Sequence, residues 1–478
     1  MNRRQFIRGI VAATVGGLAV SATGLGRAAG AAATASRPNV LIIIGDDATF
    51  SDLPLYGGTN VKTPHIDGLA RQGLTFNNAY LAEAMCQPCR SELYTGLYPM
   101  RNGCCWNHSG SRPGTRSLPH YLGDLGYRVG LAGKIHVTPR SCYPFEMVEG
   151  AERGCVSQTA KLDPAPIGAF MARDARQPFC LTVALVVPHC PWTVGDASHF
   201  KAKQLDLPPY LADTQATRED VTKYLAEIEV LDQQVGILLK TLADAGQADR
   251  TLVLFTSEQG SQLPACKWTN YDQGVHTAMV ARWPGRITPG RRTDAMIQYA
   301  DVTPTLIEAA GGDPAKGNFD GTSFLPVLLG TTSEHRRYAY HMHNNVPEGP
   351  PYPIRSVRDT RYHYIRNLKP ENLYIEKHVM GQFQWHDYWP SWMFASTDSE
   401  HTYQMLERYM RRPAEQLFDT QTDPHELKNR ADDPALAEVK QRLSAELDRW
   451  MKDQGDPGAD LDTFAALTAR RKEARRKK

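Results

Sequence analysis

The chain has 478 residues, 41% of them hydrophobic and 22% charged, with a formal net charge of +2. That length and mix provide for one large folded domain and a smaller one, and they exclude a fibre, a collagen or a wholly disordered chain. The charge is unevenly placed: an N-terminal leader contributes +4 and the last nine residues +6, which leaves the rest of the chain at −8. An acidic body without a matching motif excludes nucleic-acid binding.

Residues 1–35 form the leader. Asn2-Arg3-Arg4-Gln5-Phe6-Ile7-Arg8 is a twin-arginine export signal, followed by an apolar, Gly/Ala-rich run to Ala22. Gly16 and Gly17 interrupt that run, which is short for a membrane span. Ala33-Thr34-Ala35 offers small residues for cleavage before Ser36. The expectation is a bacterial protein handed to the twin-arginine translocase and delivered, folded, to the periplasm or beyond.

Past the leader, short apolar strands alternate with helical patterns. Residues 38–44 are a continuous, β-branched run ending at Gly45, the pattern of a parallel strand buried on both faces. Helices are predicted at 65–72, 90–97 and 118–125, strands at 128–132 and 179–187, and a long helix at 221–245. Strands at 251–256 and 277–282 and a helix at 300–310 follow. This order predicts an α/β fold with a large, mostly parallel sheet flanked by helices over 36–335. Ligands of such sheets sit beyond the carboxyl ends of the strands.

The pattern changes after residue 335. Short strands at 337–343, 354–357, 362–367 and 416–419, then a helix at 436–452, predict a smaller C-terminal antiparallel sheet with one packed helix over 336–455. Residues 374–394 are rich in aromatics, which serve either as a wall for stacking sugars or as packing for a long excursion. Residues 456–478 form a basic tail, read as a solvated, frayed terminus in preference to a membrane- or polyanion-binding segment.

Chemistry-bearing residues gather at strand ends. Asp46-Asp47 follows the first strand and Glu258-Gln259 follows the strand at 251–256. Three carboxylates and an amide are hard oxygen donors, suited to Ca²⁺ or Mg²⁺. Lys134 and His136 lie in Gly133-Lys134-Ile135-His136, His189 in Pro188-His189-Cys190-Pro191, and Lys267 in Cys266-Lys267-Trp268. In Cys86-Gln87-Pro88-Cys89-Arg90, Arg90 lies four residues from Cys86 on the first turn of the helix predicted at 90–97, whose N-terminus adds positive potential. Nine cysteines in an exported chain are compatible with disulfides, but spacing leaves their connectivity open. Recurrent zinc-ligand pairs are missing.

Taken together these motifs resemble the type I sulfatases, from Pro38 to about Trp450. The resemblance implies an alkaline-phosphatase-like fold. It also implies that a formylglycine-generating or equivalent maturation enzyme oxidises Cys86 to formylglycine. The aldehyde hydrate would attack sulfur beside a calcium ion held by Asp46, Asp47, Cys86 (as the hydrate), Glu258 and Gln259. Arg90 would anchor the nucleophile, and Lys134 and Lys267 would face the sulfuryl oxygens. His189, with Lys267, would protonate the leaving atom, giving a covalent sulfate. His136 would take the proton whose loss expels sulfate. One departure stands out: the family has Asp-Asn where this chain has Glu258-Gln259.

Within the family, Gly133–Val137 leading to Tyr143-Pro144-Phe145, and Tyr352–Val357 leading to Tyr364, look like the heparan N-sulfatase branch. Asp423-Pro424-His425-Glu426 with Asn429 resembles the family's closing motif. A sulfated saccharide, with its sulfate on oxygen or nitrogen, is the expected substrate. Arg355, His341 and His343 are candidate sugar contacts. The rival readings are a phosphonate or phosphate ester hydrolase of the same superfamily and a silent sulfoglycan-binding protein. The latter is disfavoured because Cys86, Lys134 and Lys267 are all present.

Overall fold

The computed structural model describes residues 37–475. The export signal and its cleavage site lie outside the described residues. Eight strands form the main sheet: β1 (Asn39–Gly45), β2 (Leu74–Tyr80), β3 (Arg128–Gly133), β4 (Glu146–Val148), β5 (Phe179–Ala184), β6 (Thr251–Ser257), β7 (Met279–Arg282) and β8 (Arg291–Gln298). Their order is β4-β3-β5-β1-β6-β7-β2-β8, parallel except where β7 pairs with β6 and β2. The predicted α/β class is therefore observed.

β1 shows why the sheet is central. Val40, Ile42 and Ile44 enter the core on one face, and Leu41 and Ile43 enter the core on the other. Both faces are covered, so every residue of the strand is apolar and buried apart from Asn39, whose side chain bonds to Gln247. Three strands escaped the sequence reading, each for its own reason. β2 carries Asn77-Asn78 at a register shift, β4 has three residues, and β8 begins with solvated arginines at the sheet edge. The long helix runs from Gln215 to Asp244, starting six residues before the predicted Val221 because Thr214 caps it through the Thr217 N–H.

β9 (Ala339–His343), β10 (Ile354–Arg358), β11 (Tyr362–Asn367) and β12 (Glu415–Asp419) form the antiparallel sheet, in the order β12-β11-β10-β9. The helix Ala437–Gln454 covers it with Leu443, Leu447 and Trp450. Both sheets belong to one compact unit. Buried polar links join them: Asn270 donates to Ser356, and Arg358 pairs with Asp272.

This packing overturns the proposed sugar contacts. Arg355 is fully buried, pairs with Asp456, and donates to the His343 and Ile354 carbonyls. The His341 ring donates to the Leu81 carbonyl, and the His343 ring meets the Asn345 side chain. All three residues join the small sheet to its surroundings and present nothing to solvent.

The aromatic segment is likewise mostly packing. Tyr374, Tyr388, Trp389 and Trp392 are buried, while Phe383 and Phe394 are exposed. The Tyr374 hydroxyl donates to the Trp268 carbonyl and so braces the loop that carries Lys267.

Over its described residues, to Arg475, the basic tail is ordered rather than frayed. A helix runs from Phe464 to Ala474, capped by Thr463 and seated through Leu467 and Ala474. All nine cysteines are free thiols.

If Arg355 is a structural residue, Arg355→Ala leaves Asp456 as an unpaired buried charge. The expected loss is about 3–5 kcal/mol of unfolding free energy, read from urea denaturation. A loss below about 1 kcal/mol would contradict this placement.

Candidate active site

The four central strands β3, β5, β1 and β6 end side by side, and each delivers part of one cluster. Gly45 of β1 is in register with Ser257 of β6, which sets Asp46 beside Glu258; the Glu258 N–H donates to the Gly45 carbonyl at 2.9 Å. Beyond β5 the chain runs on to Val187, whose carbonyl accepts from the Asp46 N–H at 3.1 Å, and then turns to His189. β3 ends at Gly133, whose φ of +89° leaves no room for a side chain against the Ala184 carbonyl. The next residue, Lys134, turns inward.

Cys86 comes from elsewhere. It is the first residue of the helix Cys86–Thr95, which ends at left-handed Gly96. Its Sγ lies 3.6 Å from Asp46 Oδ1, 3.8 Å from Asp47 Oδ1, 3.6 Å from Lys134 Nζ and 3.1 Å from Gln259 Nε2. One turn on, Arg90 donates to the Lys134 carbonyl at 2.6 Å and pairs with Asp46 and Glu258. Its guanidinium is buried.

The electrostatics are nearly closed. Lys134 pairs with Asp46, and Lys267 Nζ lies 2.7 Å from Asp47 Oδ2. Burial works to raise Asp46, but Lys134 and its other partners outweigh it and hold the carboxyl well below its usual range. Burial pushes Glu258 well up despite Arg90, with Asp46 adding to the rise. Three acids thus face three cations.

The donor set fits a divalent cation. Ligand atoms of Asp46, Asp47, Cys86 and Glu258 all lie within 4.8 Å of one another, and all four residues are buried. Gln259 turns its Nε2 to Asp47 Oδ1 at 2.6 Å; rotating the amide would present Oε1 to an ion instead. Glu258-Gln259 therefore supplies the same donor types as Asp-Asn on longer arms.

The rim is built of histidines. His189 donates through Nδ1 to the Cys190 carbonyl at 2.6 Å and turns Nε2 to Lys267 Nζ at 3.4 Å. Burial, then Lys134 and Lys267, lower it to about 4. His136 is lowered well below its usual value by burial, Lys134 and His108. Its Nε2 meets His108 Nδ1 at 3.2 Å, while its own Nδ1 has no partner.

His108 was not singled out from sequence. It sits in an irregular loop between Cys104-Cys105 and Gly110, at φ +58°, with no motif to mark it. A second missed group is Glu348 with His378. Their side chains meet at 2.7 Å, and His378 stacks on Trp268 beside Lys267 at a centroid distance of 5.1 Å.

Two outcomes follow. His108→Ala frees the His136 ring and lowers turnover by about tenfold or more, with KM little changed. Steady-state kinetics measure this split, and an unchanged kcat would remove His108 from the site. For His378, burial lowers the midpoint, but Glu348 raises it further, to above 6.5. In Glu348→Gln the burial cost remains without its hydrogen-bonding partner, so the His378 midpoint falls relative to wild type, as read by NMR. Burial would raise Glu348, but His378 and Lys377 hold it down at about 2 against its usual 4.5. The stabilisation from this pair is therefore present between about 4.5 and 6.5. It is lost as pH falls toward 2 and as it rises through the His378 midpoint.

The comparisons with known proteins agree with this geometry. A model described as sulfatase matches residues 38–312, and one described as the C-terminal region of N-sulphoglucosamine sulphohydrolase matches residues 266–377. An ulvan-active sulfatase of Formosa agariphila is 34% identical over 89% of this chain and 82% of its own. Human N-sulphoglucosamine sulphohydrolase is 29% identical over 88% of this chain and 91% of its own.

In fold, the chain is similar to a protein solved in complex with its substrate D-glucosamine-2-N,6-O-disulfate. That match has a TM-score of 0.67 and 18% identity over 89% of this chain and 100% of the other. The phosphonate monoester hydrolase of Agrobacterium radiobacter matches with a TM-score of 0.67 and 20% identity over 87% and 96%. With its carboxylate cluster, buried lysines and helix-borne Cys86 in place, the chain belongs to the sulfatase family of sulfuric ester hydrolases.

Proposed function

We propose that this protein removes sulfate from a sulfated glycan, hydrolysing sulfate esters or N-sulfate groups. It would use formylglycine made from Cys86 and calcium held by Asp46, Asp47, Glu258 and Gln259. One observation carries the reading: Cys86 Sγ lies within 3.8 Å of two carboxylates and a lysine ammonium, at a helix N-terminus. When present, the hydrated aldehyde and the ion supply a nucleophilic hydroxyl of lowered proton affinity and neutralise charge at sulfur.

The chain's own residues do the rest. Arg90 fixes the Lys134 backbone, so that Nζ and the thiol position keep their spacing. Lys134 and Lys267 offset the charge that develops on the sulfuryl oxygens. The raised Lys267 stays an ammonium because Asp47 outweighs its burial, and it presents a proton to neutral His189. The Lys267–His189 pair thus passes a proton to the leaving oxygen or nitrogen. His136, neutral and unpartnered at its buried Nδ1, accepts the proton released in the second half of the reaction.

The names of the relatives support a glycan: one acts on ulvan and another on N-sulphoglucosamine. Maturation in the cytoplasm by a formylglycine-generating or equivalent enzyme, then folded export through the twin-arginine translocase to the periplasm or beyond, fits the leader.

The test is mass spectrometry of the tryptic peptide Gln72–Arg90 from protein made in its own host, with sulfate release scored on N- and O-sulfated saccharides. The expected result is an aldehyde or its hydrate at Cys86, activity lost on calcium chelation, and a fall of at least about 10³-fold in Cys86→Ala. An intact thiol in active protein would overturn the mechanism. Faster turnover of phosphonate esters than of sulfate esters would favour the hydrolase of similar fold.

A further inference from the structure

We propose that the C-terminal helix Phe464–Ala474, with Arg475, is a cationic subsite that holds anionic groups of a glycan chain running out from the reacting sulfate. This rests on the sulfated-glycan reading and extends it to a polyanionic chain.

Placement is the first observation. Arg471 Nε donates to the His108 carbonyl at 3.0 Å, and His108 meets His136 at 3.2 Å. Ala474 packs on Gly110 and Arg470 approaches Gly103, so the helix lies along the loop that forms one side of the rim. Two contacts therefore separate the basic helix from a candidate catalytic histidine.

Pattern is the second. Thr468, Arg471, Lys472 and Arg475 recur at i, i+3, i+4 and i+7, which places them on one helical face, and together they line a shallow depression. Lys472 and Arg475 are exposed. Arg470 is neutralised by Glu473 at 2.8 Å, whereas Arg471, Lys472 and Arg475 form no ion pair among the described residues. The sequence continues as Arg476-Lys477-Lys478. Glu348, whose charge is felt at His108, is already paired with Lys377 and His378.

Charge complementarity selects the occupant. A chain whose remainder is net negative would repel a polyanion, yet a dense cationic face is fixed two contacts from His136. A lipid surface is the weaker match. The helix spends Leu467 on the core and leaves Phe464 as its one large exposed apolar side chain.

The experiment compares wild type with Lys472→Gln/Arg475→Gln, which keeps the Arg471–His108 contact, and with Thr468→Arg, which adds charge to the same face. Two readouts are taken: the salt needed to elute each protein from immobilised heparin, and the ratio of kcat/KM on heparin oligosaccharide to that on a small aryl sulfate.

The double variant is expected to elute at lower salt and to lose about 2–10-fold of the ratio at low ionic strength, through KM. Thr468→Arg shifts elution the other way. Unchanged elution and ratio in the presence of aryl-sulfate turnover would overturn the subsite alone. An equal loss on both substrates would assign the helix a purely structural role and overturn it too. Reduced binding to phosphatidylglycerol vesicles with an unchanged ratio would make it a membrane contact. Wild type that releases no sulfate from any substrate, with elution still shifted by the variants, would overturn the sulfatase reading and keep the polyanion subsite.

Discussion

Asp46, Asp47 and Glu258 are carboxylates removed from water at the ends of two adjacent strands, and a buried charge without a partner costs several kcal/mol. Each therefore has a cation against it: Lys134 on Asp46, Lys267 on Asp47 and Arg90 on Glu258. The three cations come from three different parts of the chain, so the charge balance of the cluster exists only when the whole α/β unit is assembled. The site is correspondingly part of the core, with Cys86, Lys134 and Lys267 each 1% exposed.

This constraint explains the local backbone. Asp47 and His136 adopt positive φ, as do Ala265 and Trp268 on either side of Lys267. Non-glycine residues in that region store strain, and here they aim side chains that a regular strand exit would send outward. The aromatic excursion through Tyr374 and Tyr388 holds the Lys267 loop from behind. The expenditure of large side chains away from solvent thus serves the position of one ammonium group.

Much of this was legible in the sequence because the functional residues sit directly after strands, and strands buried on both faces are easily seen as apolar runs. β1 and β6 were read to within a residue, which placed Asp46, Asp47 and Glu258 at the correct ends. The helix carrying Cys86 and Arg90 was found, though its start lies at Cys86 itself. What escaped depends on distant contacts. His108 is defined by a bond to His136 across 28 positions and by Arg471 across 363. Arg355, His341 and His343 looked available because a short strand does not reveal that both of its faces are covered. The tail looked solvated because only Leu467 and Ala474 mark its buried side.

The account stands or falls on whether the Glu258-Gln259 cluster holds a cation beside the modified cysteine. A crystal structure of protein purified from its own host, grown with calcium, tests this most directly. The predicted result is one ion with oxygen ligands from Asp46, Asp47, Glu258 and Gln259 at about 2.3–2.6 Å, touching an oxygen on residue 86. A cluster that keeps its lysine–carboxylate pairs closed at saturating calcium, with sulfur still on residue 86, would contradict it.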